Sequence, residues 1–246
     1  MDLKNMVANW TKLGEQDPLW AILTDPEKRD NKWDVKEFFE TGTQQVKQDI
    51  AWLKELGVEI EYGKALDFGC GVGRLTQALT SCFQEVHGAD ISPTMIESAD
   101  RFAEQHKKNI QFFCLHTGTL ADFEDNTYDF VCSHISLQHI STAFQKQYIK
   151  DLFRILAPKG IALLQTIHTH GWRALVPDKA AEAYRILKHR GKPYIPMYGI
   201  SPGSVASLAA QGGCRIVKAL SSPAAGCENR FLSDTYCVLK KPNLAQ

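Results

Sequence analysis

Two rhythms of apolar and polar residues run along this chain of 246 residues. From Trp33 to Leu56, the residues Val35, Phe38, Phe39, Val46, Ile50, Leu53 and Leu56 recur at helical spacing. Asp34, with Glu37 three positions on, opens this stretch as a capping box, and Gly42 is expected to divide it into two helices. Phe38 and Phe39 fit the core face of the pattern, so packing accounts for them without a ligand. The rhythm then shortens. Apolar runs at 64–67, 85–89, 109–115, 128–133, 161–167, 215–220 and 235–240 predict seven strands. Helical patterns at 74–81, 93–106, 142–156 and 201–210 fall among them, with Ser92 capping the second and Pro93 as its first residue. Ala157-Pro158-Lys159-Gly160 is expected to break the chain before the fifth strand. This alternation predicts an α/β fold, a doubly wound and mostly parallel sheet with helices on both faces. Such sheets bind ligands at the carboxyl ends of their strands.

Two stretches depart from the alternation. Residues 1–32 hold Trp10, Trp20 and a charged run at 25–30, and read as a helical or irregular segment lying over the domain. With the helices that follow, they make an N-terminal arm of residues 1–56. Residues 171–198 are too long for a plain connection. They carry a helical pattern at 178–189 and then Pro193-Tyr194-Ile195-Pro196-Met197-Tyr198, which together read as a lid inserted into one domain spanning 1–246.

The chemistry gathers at Ala65 to Leu79. A short strand stops at Asp67, a turn follows with Gly69, Gly71 and Gly73, and a helix begins near Arg74. Glycine permits positive φ and lets a ligand touch the backbone, and the helix start offers unpaired N–H groups. Such turns also serve NAD, FAD and phosphates. The next strand ends on Asp90, where a carboxylate can accept both hydroxyls of a ribose. The pair indicates a nucleoside cofactor.

Composition narrows the partners. Lys plus Arg equals Asp plus Glu at 28 each, so the basic excess of a nucleic-acid binder is missing. The seven cysteines form no CxxC pair and no Cys/His cluster at metal spacing, which suits a reducing compartment and no metal. The N-terminus has early charges and no long apolar run. A cytoplasmic protein without a membrane span is therefore expected.

Leu66 to Arg74, Asp90, Asp125-Asn-Thr-Tyr-Asp129 and Phe153-Arg-Ile-Leu-Ala-Pro-Lys-Gly160 together resemble the class I S-adenosylmethionine-dependent methyltransferases. The resemblance covers about residues 35–170, with a weaker match from 201 onward. It implies a Rossmann-like sheet whose last strand is antiparallel, and S-adenosyl-L-methionine as cofactor. By resemblance, Gly69, Gly71 and Gly73 would face the methionine part, and Asp67 would organise the loop or reach the amino group through water. Asp90 would hold the ribose, Ile91 and Met95 would cover the adenine, and Thr119 and Leu120 would meet its edge through backbone groups. Ser133 would offer its carbonyl to the cofactor amine. One departure is His116-Thr117-Gly118-Thr119, where family members often carry an acidic residue.

Methyl transfer needs an aligned acceptor, and a base only if the acceptor must lose a proton. His134, His139 and His168 are the candidate bases, with a structural hydrogen bond the competing reading for His139 and a solvated loop for His168. No Asp/Asn-Pro-Pro-Tyr/Phe follows the fourth strand, and no acidic cluster suggests a metal-dependent catechol enzyme. A small-molecule acceptor methylated on O or N remains. Arg173, Tyr194 and Tyr198 of the lid are candidate acceptor contacts, and its excess of Lys and Arg suits an anionic acceptor or else a solvated helix face. A cofactor-binding regulator or scaffold without methyl transfer is the alternative, and an RNA methyltransferase is disfavoured by the neutral charge.

Overall fold

The computed structural model describes residues 2–104, 109–169, 178–189, 193–224 and 231–242. Strands β1 (Lys64–Phe68), β2 (Glu85–Asp90), β3 (Ile110–Cys114), β4 (Tyr128–Ser133), β5 (Leu156–Thr169), β6 (Cys214–Pro223) and β7 (Phe231–Lys240) form one sheet in the order β3-β2-β1-β4-β5-β7-β6. β1 to β5 pair in parallel, and β7 runs antiparallel to both β5 and β6. The order reverses direction between β1 and β4, which opens a crevice at their carboxyl ends.

Both sheet faces are covered, which explains the continuous apolar runs. Ala65, Phe130, Ile161, Leu163 and Cys237 turn to one face, against Val46 and Leu53 of α3 (Val35–Glu55) and Leu75 and Leu79 of α4 (Arg74–Leu79). Their neighbours Leu66, Val131, Ala162, Leu164 and Val238 turn to the other. That side is closed by Tyr148, Ile149 and Leu152 of α6 (Thr142–Ile155) and by Val205 and Ala209 of α8 (Pro202–Gln211). The remaining helices are α1 (Leu3–Gln16), α2 (Pro18–Ile22), α5 (Pro93–Phe102) and α7 (Asp178–His189).

Two local expectations are corrected. Gly42 does not divide α3, which runs unbroken with Asp34 capping it through Glu37 N–H at 2.8 Å. A Cβ at Gly42 would lie 2.3 Å from the Arg74 carbonyl oxygen, so the glycine admits α4 against the helix. A mid-helix glycine costs about 1 kcal/mol relative to alanine, which close packing can outweigh. Ala157 to Gly160 does not end α6 ahead of a separate strand either. Leu156 already pairs with Tyr128, and the pairing resumes at Ile161 with Phe130, so the turn is an excursion inside β5 with Lys159 at φ 67°.

Candidate active site

The glycine turn takes the backbone that its sequence demands. Gly69, Gly71 and Gly73 have φ of 74°, 54° and 83°. A Cβ would lie 1.8 Å from Ser136 Oγ at Gly69 and 2.5 Å from Ile22 Cδ1 at Gly71, so side chains are excluded by contact as well as by φ. Asp90 ends β2 beside this turn. Its Oδ2 accepts the Gly71 N–H at 3.0 Å and its Oδ1 the Ser92 N–H at 2.8 Å. Burial pushes the Asp90 carboxyl above its ordinary range, and those amides pull it back. Each oxygen keeps a further lone pair for a ligand.

A cavity partly open to solvent lies over the turn. Gly69, Gly71, Asp90, Ile91 and Met95 line it, together with Leu115, His134, Ser136 and His139. Its outer wall is Met6 and Trp10 of α1 and Ala21 and Ile22 of α2. The arm is fixed there by Thr94 Oγ1, which donates to the Thr11 carbonyl at 3.0 Å, and by the packing of Leu13 and Leu19 with Val72 and Met95. Sequence reasoning missed this wall. Its signal was the apolar face of the first helix, which carries Met6, Trp10 and Leu13 at helical spacing.

Other expected residues stand behind the cavity. Asp67 is 2% exposed and accepts from Thr76 Oγ1 at 2.7 Å, which binds β1 to α4. Burial pushes its carboxyl up, against the Thr76 hydrogen bond. Gly73 caps α4, and a Cβ there would come 2.9 Å from the Phe112 ring. Ser133 is fully buried, and the next residues, His134 to Ser136, reach the cavity in its place.

Four expected residues have partners that the sequence hides. Leu120 lies off the cavity, its N–H donating to Asp151 Oδ2 at 2.9 Å and its carbonyl accepting Arg154 Nη2 at 2.7 Å, so its backbone is spent on α6. Thr119 is also absent from the lining, its carbonyl accepting from Thr117 Oγ1 at 3.1 Å; Leu115 supplies the edge after β3. His139 lines the cavity but is a poor base: Nδ1 is 2.6 Å from the Pro196 carbonyl, and burial lowers its pKa to about 4 against that bond. His168 is also outside the lining, with Nδ1 2.5 Å from Asp234 Oδ2.

The three residues expected to contact the acceptor from a lid divide three ways. Tyr198 is 2% exposed, its N–H donating to the Gln138 carbonyl at 2.7 Å, so it is core and cannot present a face to an acceptor. Tyr194 is held to α1, its N–H donating to Asn9 Oδ1 at 3.1 Å and its carbonyl accepting Asn9 Nδ2 at 2.8 Å. It faces a separate cavity outside the arm. Arg173 lies outside the described residues.

His134 is placed differently. Its side chain is 7% exposed, and Nε2 stands 2.9 Å from Oδ2 of Asp49 on α3. The other Asp49 oxygen accepts Gln45 Nε2 at 2.9 Å. Nothing in the local sequence links Asp49 to His134, since the sheet brings them together.

Residues 65–160 match the family model described as a methyltransferase domain. That stretch of the chain is similar to methyltransferase domains. Among curated methyltransferases, the chain is 32% identical over 105 residues to malonyl-[acyl-carrier protein] O-methyltransferase of Bacillus anthracis, covering 42% of this chain and 37% of that one. It is 28% identical over 152 residues to ubiquinone biosynthesis O-methyltransferase of Coxiella burnetii, covering 62% and 63%. The chain thus spans less than two thirds of the length of either relative. The magnesium protoporphyrin IX methyltransferase of Synechocystis PCC 6803, solved with bound SAH, shares the fold at TM-score 0.62 and 18% identity, over 98% of this chain and 100% of that one.

Proposed function

We propose that the chain transfers a methyl group from S-adenosylmethionine to an O or N atom of a small molecule, without a metal. The observation that carries this reading is the joining of Asp90, Gly69 and Gly71 on one mostly apolar cavity. The residues suit the cofactor: an anionic acceptor for ribose hydroxyls, and Ile91, Met95 and Leu115 as apolar walls for a base. Gly69 and the Ser136 region would hold the methionine end, and Asp90 the ribose. When bound, the cofactor supplies an activated methyl on a sulfonium. The protein's part is to position, to keep water from the apolar wall with Met6, Trp10 and Ile22, and to take up a proton when the acceptor loses one. The arm of residues 1–56 serves as the cover of the cofactor, and residues 171–198 as the lid on the acceptor side. The test is a methyl-transfer screen against a metabolite extract, reading masses raised by one methylene. If SAH binds and no such mass appears, the chain is a cofactor-binding regulator or scaffold.

A further inference from the structure

Behind the loop that follows β4 lies a second cavity, and it shares His134 and Ile135 with the first. It is partly open, and its other walls are Gln45, Gln48, Asp49 and Trp52 of α3, with Gln165, Thr235 and Leu220 from the sheet. Its chemistry differs from that of the cofactor cavity. Three side-chain amides and one carboxylate face it, with an indole and, among the described residues, no lysine or arginine. Arg74 interacts with Asp49 electrostatically from below, but it is 6% exposed, donates to Thr41 Oγ1 at 3.3 Å and does not line the cavity.

His134 therefore borders both cavities, and its Nε2 lies at ion-pair distance, 2.9 Å, from Asp49 Oδ2. We propose that the methyl acceptor occupies this second cavity and is a hydroxyl or amine compound without net negative charge, held by Asp49 and the glutamine amides beside His134. This rests on the first cavity being the cofactor's. The acceptor's lone pair would form the new bond to the methyl carbon, the sulfur–methyl bond would break with its electron pair going to sulfur, and the acceptor's proton would pass to His134. Asp49 acts as a positioning residue and as the selector of charge. A carboxylate or phosphate in the same place would face Asp49 with no lysine or arginine among the described lining side chains.

The test uses the full chain saturated with SAH. Titration calorimetry compares tyramine with 3-(4-hydroxyphenyl)propionate, two phenols that differ in the sign of their charge. Tyramine should bind at least about 10-fold more tightly, and Asp49→Asn should abolish that preference while SAH affinity stays within about threefold. Gln48 is exposed and tolerates substitution without threat to folding, so Gln48→Lys provides the second arm and should reverse the preference. Equal or tighter binding of the propionate to the unaltered chain would overturn the proposal, as would failure of both phenols to bind while SAH binds. Failure of SAH itself would instead overturn the cofactor reading.

Discussion

Asp90→Ala separates two roles that one carboxylate fills. In the protein alone, Asp90 accepts two backbone amides, Gly71 at 3.0 Å and Ser92 at 2.8 Å, and so braces the glycine turn against the start of α5. In the proposed complex it also accepts ribose hydroxyls. Charge-assisted hydrogen bonds contribute about 1.5–3 kcal/mol, so losing the ribose contacts should weaken SAH binding roughly 10- to 150-fold. The brace has its own cost, because amides left without an acceptor lose about 1–3 kcal/mol each when water cannot replace it. Ser92 is fully buried, whereas Gly71 borders the cavity and can take water. Removing a carboxylate that burial already disfavours recovers part of that loss. The net fall in unfolding free energy should be about 1–2 kcal/mol. Titration calorimetry with SAH and urea unfolding of the ligand-free protein measure the two effects separately. Lower stability with SAH affinity unchanged to within twofold would refute a ribose contact and leave Asp90 as a brace alone.

Three further outcomes follow from the geometry. His139 has its folded pKa lowered to about 4 from an ordinary value near 6.5, so its stabilising contribution is complete above pH 6.5 and is lost as pH falls through that window. Two to three pH units correspond to about 3 kcal/mol, so the unfolding free energy of His139→Asn should fall less steeply than that of the unaltered protein between pH 7 and 4. Parallel pH profiles would be evidence against a buried neutral imidazole. Gly69→Ala places a Cβ 1.8 Å from Ser136 Oγ at φ 74°, so SAH affinity should fall at least about 10-fold and thermal unfolding should occur earlier; Ser136→Gly in the same chain should restore part of the affinity. Methyl transfer should survive EDTA, and activity lost to EDTA and restored by magnesium would contradict the metal-free reading.

What the sequence made legible is what depends on neighbours in the chain. The turn at Gly69 to Gly73, the Ser92 cap and the position of Asp90 follow from local spacing, because a strand, a tight turn and a helix start are short-range events. The strand order with β7 between β5 and β6 was not available from periodicity, and it entered only as an antiparallel last strand implied by family resemblance. The errors cluster where a polar group had its partner chosen by tertiary packing. Leu120 looked free to meet an adenine, yet Asp151 and Arg154 of α6 take both of its backbone groups. His139 looked like a base until the Pro196 carbonyl, 57 residues away, came within 2.6 Å. Gly42 looked like a break because propensity is local, whereas its purpose is the approach of Arg74 from another helix.

The arm changes how the cofactor site should be understood. Ile22 fills the space a side chain at Gly71 would need, and Trp10 stands 5.4 Å from the His139 ring, so the arm touches both the glycine turn and the loop after β4. Asn9 meanwhile ties α1 to the backbone of Tyr194, beyond the lid helix. One short helix thus contacts the proposed cofactor wall on one side and the end of the lid on the other. A ligand that packs against Met6 and Trp10 favours the docked arm by its differential affinity for that arrangement. The docked arm in turn favours the placement of residues 193–198. α1 thus touches both the wall of the proposed cofactor site and, through Asn9, the backbone of Tyr194 in the proposed lid.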